Sequence, residues 1–261
     1  MLRSMQNASS RASGRSRRSL RIPFRAFDAV CRAVTTYVES LLTDTERRYG
    51  LWKSWTVSAT RFTAGDNRGW WNSHDWSCLG EEWTPDPTWK ASVLNRFLLP
   101  FVPPGGRVLE IGPGGGRWTE VLIARAARVY VLDVAEVPLR VCRHRFSRLS
   151  TVTYVRGDGR TVPLVERSID AIWAYDVFVH VNPHDARSYV TEFGRVLRRG
   201  GHAVLHHPGH ELTTGERALQ HRSDLTDLMI NEFARGSGFE IVLQTRELVN
   251  EGDALTVLRK K

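Results

Sequence analysis

The sequence predicts an α/β protein: a doubly wound, seven-stranded, mostly parallel sheet with a helical N-terminal extension and cap. Three observations predict it. From Arg107 onward, short apolar runs alternate with stretches of helical period. The first run, Val108–Ile111, breaks into a glycine-rich turn that leads into a helix. The last two runs, Phe239–Arg246 and Ala254–Leu258, follow each other without a helix between them and so are expected to be antiparallel.

Residues 1–21 read as a disordered basic tail. Ile22 to Tyr49 has apolar residues at three- and four-residue steps, including Phe27, Val30, Val34, Val38 and Leu41, as an amphipathic helix would. Pro23 suits its first turn and Gly50 its end. Residues 51–90 hold Trp52, Trp55, Trp70, Trp71, Trp76, Trp83 and Trp89, interleaved with turn-formers and polar groups. That stretch fits neither a regular strand nor a simple helix. It reads either as the core of a small cap or as a ligand surface, with flat rings for a sugar's C–H face and Asn, Asp, His and Glu for its hydroxyls. Pro85 and Pro87 break the chain, Thr88–Phe101 reads as a helix, and Pro103-Pro104-Gly105-Gly106 ends it. The domain division expected is thus a tail over 1–21, an N-terminal helix and Trp-rich cap over 22–87, and the α/β domain over 88–261.

Within that domain, Thr119 and Glu120 open a helix, Arg128–Asp133 is a second strand, and Val137–Leu149 a further helix. Val152–Arg156 is a third strand, closing on Gly157-Asp158-Gly159. Ser168–Asp176 is a fourth strand with its exit, which continues through Val177–Val181 as a loop. Pro183–Leu197 is a helix, and a turn carrying Gly200 and Gly201 leads into a fifth strand, His202–His207. Ser223–Gly236 is a final helix.

Composition narrows the class. The chain has 261 residues, 41% of them hydrophobic, enough for one large α/β domain with an extension. No run approaches the ~20 apolar residues of a membrane span. The cysteines, Cys31, Cys78 and Cys142, are scattered, which offers neither a disulfide framework nor a CxxC metal site. A reducing, cytoplasmic setting is expected. The formal charge of +9 is concentrated in residues 1–27, the tail and the start of the first helix, where Arg3, Arg11, Arg15, Arg17, Arg18, Arg21 and Arg25 stand without an acidic residue. The remainder is close to balanced, so no nucleic-acid face is expected on the core. The tail has the Arg/Ser-rich character of a transit peptide, but no apolar stretch of a secretory signal.

The glycine turn reads Glu110-Ile111-Gly112-Pro113-Gly114-Gly115-Gly116-Arg117. A dinucleotide fingerprint would need glycine at position 117, where Arg117 stands, and a P-loop would need Gly-Lys-Ser/Thr. The pattern E-x-G-x-G-x-G instead resembles the first motif of the class I S-adenosylmethionine (SAM) dependent methyltransferases. Asp133 closes strand two about 20 residues beyond Gly112, the distance at which a carboxylate can take a ribose diol. Asp158 follows strand three, Asp176 follows strand four, and paired glycines precede strand five. The four signals occur in the family's order across residues 88–261. Upstream, His74-Asp75-Trp76-Ser77 and Gly80-Glu81-Glu82-Trp83 look like a subgroup associated with bacterial glycan assembly.

The resemblance implies SAM as cofactor, held by Glu110, Gly112, Pro113, Gly114, Gly116, Asp133, Asp158, Gly159, Tyr175 and Asp176. In this reading Glu110 lies near the methionine ammonium and Asp158 accepts from the adenine amino group. It implies methyl transfer to a small-molecule or saccharide acceptor, with O-methylation the first reading. A natural-product or amine methyltransferase is the alternative, and a SAM-fold binding protein without activity a further one. Methylation of a hydroxyl benefits from a general base. His180 lies beyond strand four and is the first candidate; His207, at the end of strand five, is the second. Alternation along the strand puts His206 and His207 on opposite faces. A divalent metal such as Mg on Asp176, His180, His207 or His210 is left unassigned, because Pro208-Gly209-His210 lacks the acidic or amide pair of the metal-dependent catechol-type enzymes. A homodimer is compatible with the sequence. No G-x-S-x-G stands at a strand-to-helix turn, which removes a hydrolase reading.

Overall fold

The computed structural model describes residues 62–209 and 222–261. The basic tail, the helix expected over Ile22–Tyr49, Trp52, Trp55 and His210 lie outside the described residues. The strands are β1 (Arg107–Ile111), β2 (Arg128–Asp133), β3 (Val152–Arg156), β4 (Ile169–Ala174), β5 (Leu197–Pro208), β6 (Phe239–Thr245) and β7 (Asp253–Lys260). Among the described residues the helices are α1 (Ala64–Ser73), α2 (Pro87–Val93), α3 (Thr119–Arg125), α4 (Glu136–Arg145), α5 (Pro183–Val196) and α6 (Asp227–Gly236).

The sheet order is β3-β2-β1-β4-β5-β7-β6. Strands β1 to β5 are parallel, and β7 runs antiparallel to β5 and β6. The order reverses between β1 and β4. A crevice opens at such a switch point, beyond the carboxyl ends of the strands.

The inner strands are buried on both faces, which is why they read as apolar runs, whereas the edge strands β3 and β6 are partly exposed. Side chains alternate between the faces. Leu109, Ile111, Ile172, Ala174 and Leu205 pack on one side with Tyr189, Phe193, Met229 and Phe233 of α5 and α6. Val108, Val129, Val131, Trp173 and Val204 pack on the other with Leu122, Leu139, Phe97 and Trp118. Truncating one of these buried leucines to alanine costs roughly 2–5 kcal/mol.

Four elements depart from expectation. The Trp-rich stretch contains a regular helix, α1. Two glycines weaken its intrinsic propensity, and none of its residues is buried. It is held at its start by a capping box between Thr63 and Asp66 and along its length by side-chain bonds to the α/β domain. Helix α2 gives way after Val93 to a π-turn over Leu94–Leu98, which carries Phe97 and Leu98 into the core. Helix α4 stops at Arg145, four residues early, and Phe146 turns back beneath Gly116. Strand β5 follows α5 directly, with the paired glycines inside it. The register against β4 shifts there from Ile169↔Leu197 to Ala171↔His202, an irregularity that Gly200 absorbs at φ 77°.

Candidate functional site

The crevice at the switch point is a cavity of about 700 Å³. One half is walled by the glycine turn and the ends of β2 and β3: Gly112, Pro113, Gly114, Leu132, Asp133, Val134 and Gly159. Two of the turn's glycines line the cavity. Gly112 sits at φ 63° and Gly114 at φ 56°, conformations that side chains disfavour. A Cβ on Gly112 would lie 2.5 Å from Val177, and one on Gly114 2.6 Å from the ring of Trp76. The turn is therefore a surface against which the Trp-rich cap closes. The cap docks through Arg68 Nε, which donates to the Val134 carbonyl (3.3 Å), and through Asn67 Nδ2, which donates to the His180 carbonyl (2.7 Å).

Asp133 is buried at the end of β2. Its Oδ1 accepts from the Ala135 N–H (2.8 Å), and burial raises its pKa to about 7. Glu110 does not line the cavity. Strand alternation sends its side chain behind the turn, to the face of Val108, where the Thr119 hydroxyl donates to Oε2 (2.6 Å). Its Oε1 is buried without a hydrogen-bond partner, and burial raises its pKa to about 8. Gly116 does not line the cavity either; it packs on Phe146. Asp158 is exposed and folds onto its own loop. It accepts from the Arg160 and Thr161 N–H groups (2.8 and 2.7 Å) and from the Thr161 hydroxyl (2.9 Å), while its neighbour Gly159 reaches the cavity.

The other half is aromatic and charged. Trp71, Trp76, Trp83, Trp89, Trp118 and Tyr175 all line it. Trp71, Trp76 and Trp83 pack on each other with ring centroids 5.8–6.1 Å apart. That spacing closes the space between them, so they form a wall and not a cage around a cation. His180 stands against it, 5.1 Å from Trp71. The short helical turn Phe178–His180 places it there.

Beyond β4 the chain bends, with Asp176 at φ 59°. Its carboxylate is held by Arg117 and by His206, whose Nδ1 lies 2.8 Å from Oδ1. Desolvation would raise the Asp176 pKa, but His206 and Arg117 outweigh it and hold the group well below the usual carboxylate range. His206 Nε2 lies 3.0 Å from Asp253, and Arg222 pairs with both Asp253 oxygens (2.7 and 2.6 Å). Burial works against a charge on His206, yet the two carboxylates raise its pKa. His207 points the opposite way. It is buried on Thr256 (2.8 Å) and the Pro208 carbonyl (2.7 Å), and burial lowers its pKa to about 4. The structure thus brings His180, Tyr175, Asp176, Asp133 and the glycine turn to one cavity and leaves His207, Asp158, Glu110 and Gly116 out of its wall. Arg117, His206 and Arg222 belong to it although their partners are remote in sequence. The one available signal was the alternation that separates His206 from His207.

The chemistry of the first half fits an adenosyl amino acid. A carboxylate closes β2, an apolar slot lies between Leu132, Val134 and Gly159, and a side-chain-free turn lies beside a buried acceptor that lacks a partner. Among the described residues no group of three His, Cys, Asp or Glu side chains is placed to hold a metal. No helix among them is long and apolar enough to cross a membrane.

The chain is similar to known proteins in sequence and in fold. The family described as a methyltransferase domain matches residues 109–205. A malonyl-[acyl-carrier protein] O-methyltransferase of Methylococcus capsulatus is 30% identical over 55% of this chain and 52% of its own length. A ubiquinone biosynthesis O-methyltransferase of Hahella chejuensis is 33% identical over 49% of this chain and 54% of its own. The chain spans about half the length of these relatives. In fold it resembles the N-methyltransferase NodS from Bradyrhizobium japonicum in complex with S-adenosyl-L-homocysteine, with a TM-score of 0.59 and 18% identity over 76% of this chain and 98% of that one.

Proposed function

We propose that this chain, which carries the methyltransferase domain and the Rossmann-like fold of the class I SAM-dependent methyltransferases, methylates a hydroxyl of a ring-bearing small molecule, a sugar in our first reading, with His180 as general base. The observation that carries the reading is one cavity with two unlike halves, the glycine turn and Asp133 on one side and the tryptophan wall with His180 on the other. About 700 Å³ is ample for a drug-sized ligand.

SAM, when bound, supplies an electrophilic methyl group on a sulfonium. The protein's part is to hold, align and keep dry. Asp133 suits a ribose diol, and the backbone of Gly112–Gly114 admits close approach. The tryptophans offer flat faces to the C–H side of a sugar ring and exclude water, which strengthens positioning. Asn67, Glu82 and His180 supply hydrogen-bond partners for hydroxyls.

A hydroxyl must lose its proton as it attacks. His206 is tied to two carboxylates and has no free nitrogen for that proton. His180 is the other histidine of the cavity among the described residues, and histidine is the side chain most often used as a general base. Isothermal titration should show binding of SAM and S-adenosylhomocysteine; binding of neither would remove the enzyme reading. His180→Ala should lower kcat by roughly 10²- to 10⁴-fold with S-adenosylhomocysteine affinity retained. Near-normal turnover would remove the histidine from that role.

A further inference from the structure

We infer that the acceptor carries an oxyanion, a carboxylate or a phosphate, seated against the cationic members of the largely buried chain Arg117–Asp176–His206–Asp253–Arg222. The inference deepens the reading of this cavity as a methyl-acceptor site and rests on it.

The charges in the chain alternate. Asp176 lies between Arg117 and His206. Asp253 lies between His206 and Arg222. Two carboxylates are shared among three cations, and both ends are arginines. An imidazole with a carboxylate on each nitrogen carries both protons. The Asp176 backbone N–H is also near Nδ1, at 3.2 Å, but the carboxylate at 2.8 Å is the closer contact. The chain therefore holds one positive charge more than it neutralises.

That excess faces the cavity. Arg117, His206 and Arg222 all line it, as does Asp176, whereas Asp253 does not. Arg117 is 4% exposed and His206 1% exposed. The Arg117 guanidinium lies over the Trp118 ring, 4.9 Å from its centroid. The Nε of Arg222 is a buried donor without a hydrogen-bond partner. The other acids of the wall are engaged elsewhere. Glu82 meets His74 (3.0 Å), Asp185 meets Arg160 (2.6 Å) and Asn182 (2.9 Å), and Asp133 stands at the glycine-turn end. A net charge withdrawn from water is unfavourable until an opposite charge reaches it. Arginine's planar fork matches carboxylate and phosphate geometry.

The test uses the full chain saturated with S-adenosylhomocysteine and three probes of one shape class: benzoate, phenyl phosphate and the neutral benzamide. Titration calorimetry and thermal unfolding read binding at millimolar probe. Benzoate or phenyl phosphate should bind at least about tenfold more tightly than benzamide. The tighter of the two anions tells which group the acceptor bears. Arg222→Gln should lower the anion's affinity toward that of benzamide while S-adenosylhomocysteine affinity stays. Benzamide binding as well as both anions overturns the inference, and that comparison needs no variant. So does the failure of all three to bind a protein that binds S-adenosylhomocysteine, or an anion preference that survives in both Arg222→Gln and His206→Gln. If S-adenosylhomocysteine itself does not bind, the methyltransferase reading falls, and this inference with it.

Discussion

Gly114 shows how much of the site rests on a missing side chain. Its φ of 56° is left-handed, a conformation that costs an ordinary residue roughly 1–2 kcal/mol. The steric demand is larger, since a Cβ would meet the Trp76 ring at 2.6 Å and the ring is packed on both Trp71 and Trp83. Gly114→Ala should therefore displace the cap as well as strain the turn. We expect more than tenfold weaker S-adenosylhomocysteine binding by titration, with a lower Tm; unchanged affinity would show that the turn does not hold the cofactor. The glycine turn and Asp133 were legible in the sequence because each signals through its own local pattern. Asp158 stood at an expected position too, but its carboxylate closes its own Asx-type turn, a competing use that spacing does not reveal. Arg117, Asp253 and Arg222 were not legible as a set. The pairing of β5 with β7, which lays His207 beside Ala254 and His206 beside Leu255, brings His206 to Asp253, and the two arginines join from segments outside the sheet.

At the scale of elements, the cap and the α/β domain share one helix terminus. Helix α4 begins after Ala135, whose side chain cannot cap it. The missing acceptor comes from α1: Asn72 Oδ1 accepts from the N–H groups of Glu136 and Val137, both at 3.0 Å. Orphan donors of a helix start need such a partner. Asn72→Ala should cost about 1 kcal/mol, the usual worth of a side-chain cap. It should also speed hydrogen exchange at the Glu136 and Val137 amides while the amides of β1 keep their protection. Equal exchange in both proteins would mean that water replaces the cap at no cost. This arrangement explains why the strands were readable and α1 was not. A strand buried on both faces must be apolar along its length, and that is written locally. Helix α1 buries nothing of its own. Its order comes from Thr63 and Asp66 at its start and from partners such as Val134 and Glu136, remote in sequence.

Over the whole molecule, the buried acids of the site couple folding to pH. Glu110 has an ordinary pKa of 4.5, raised by burial to about 8, and Asp133 one of 3.8, raised by burial to about 7. In each case the folded state holds a proton that the unfolded chain gives up at lower pH. The associated stability is fully present below about pH 4 and is lost as pH rises through the folded values. His206 acts in the same sense, since its pKa is also raised, against its burial, by Asp176 and Asp253. Asp176 acts in the opposite sense, but its stabilisation is lost only as pH falls below its ordinary 3.8, outside this window. His207 and His202, whose pKa values burial lowers from an ordinary 6.5, also act in the opposite sense and offset part of the loss below about pH 6.5, where the two carboxyls outnumber them in proton uptake only while both shifts hold. Shifts of this size correspond to several kcal/mol for the carboxyls together, a large part of a domain's marginal stability. The ligand-free protein should therefore melt at progressively lower temperature between about pH 5 and pH 8. Glu110→Gln keeps the shape but cannot ionise, so its Tm should fall less steeply over the same range. Scanning calorimetry of both proteins across that range decides it. Parallel slopes would mean that Glu110 does not hold its proton in the fold, and the buried carboxyl behind the glycine turn would then be an anion in need of a cation.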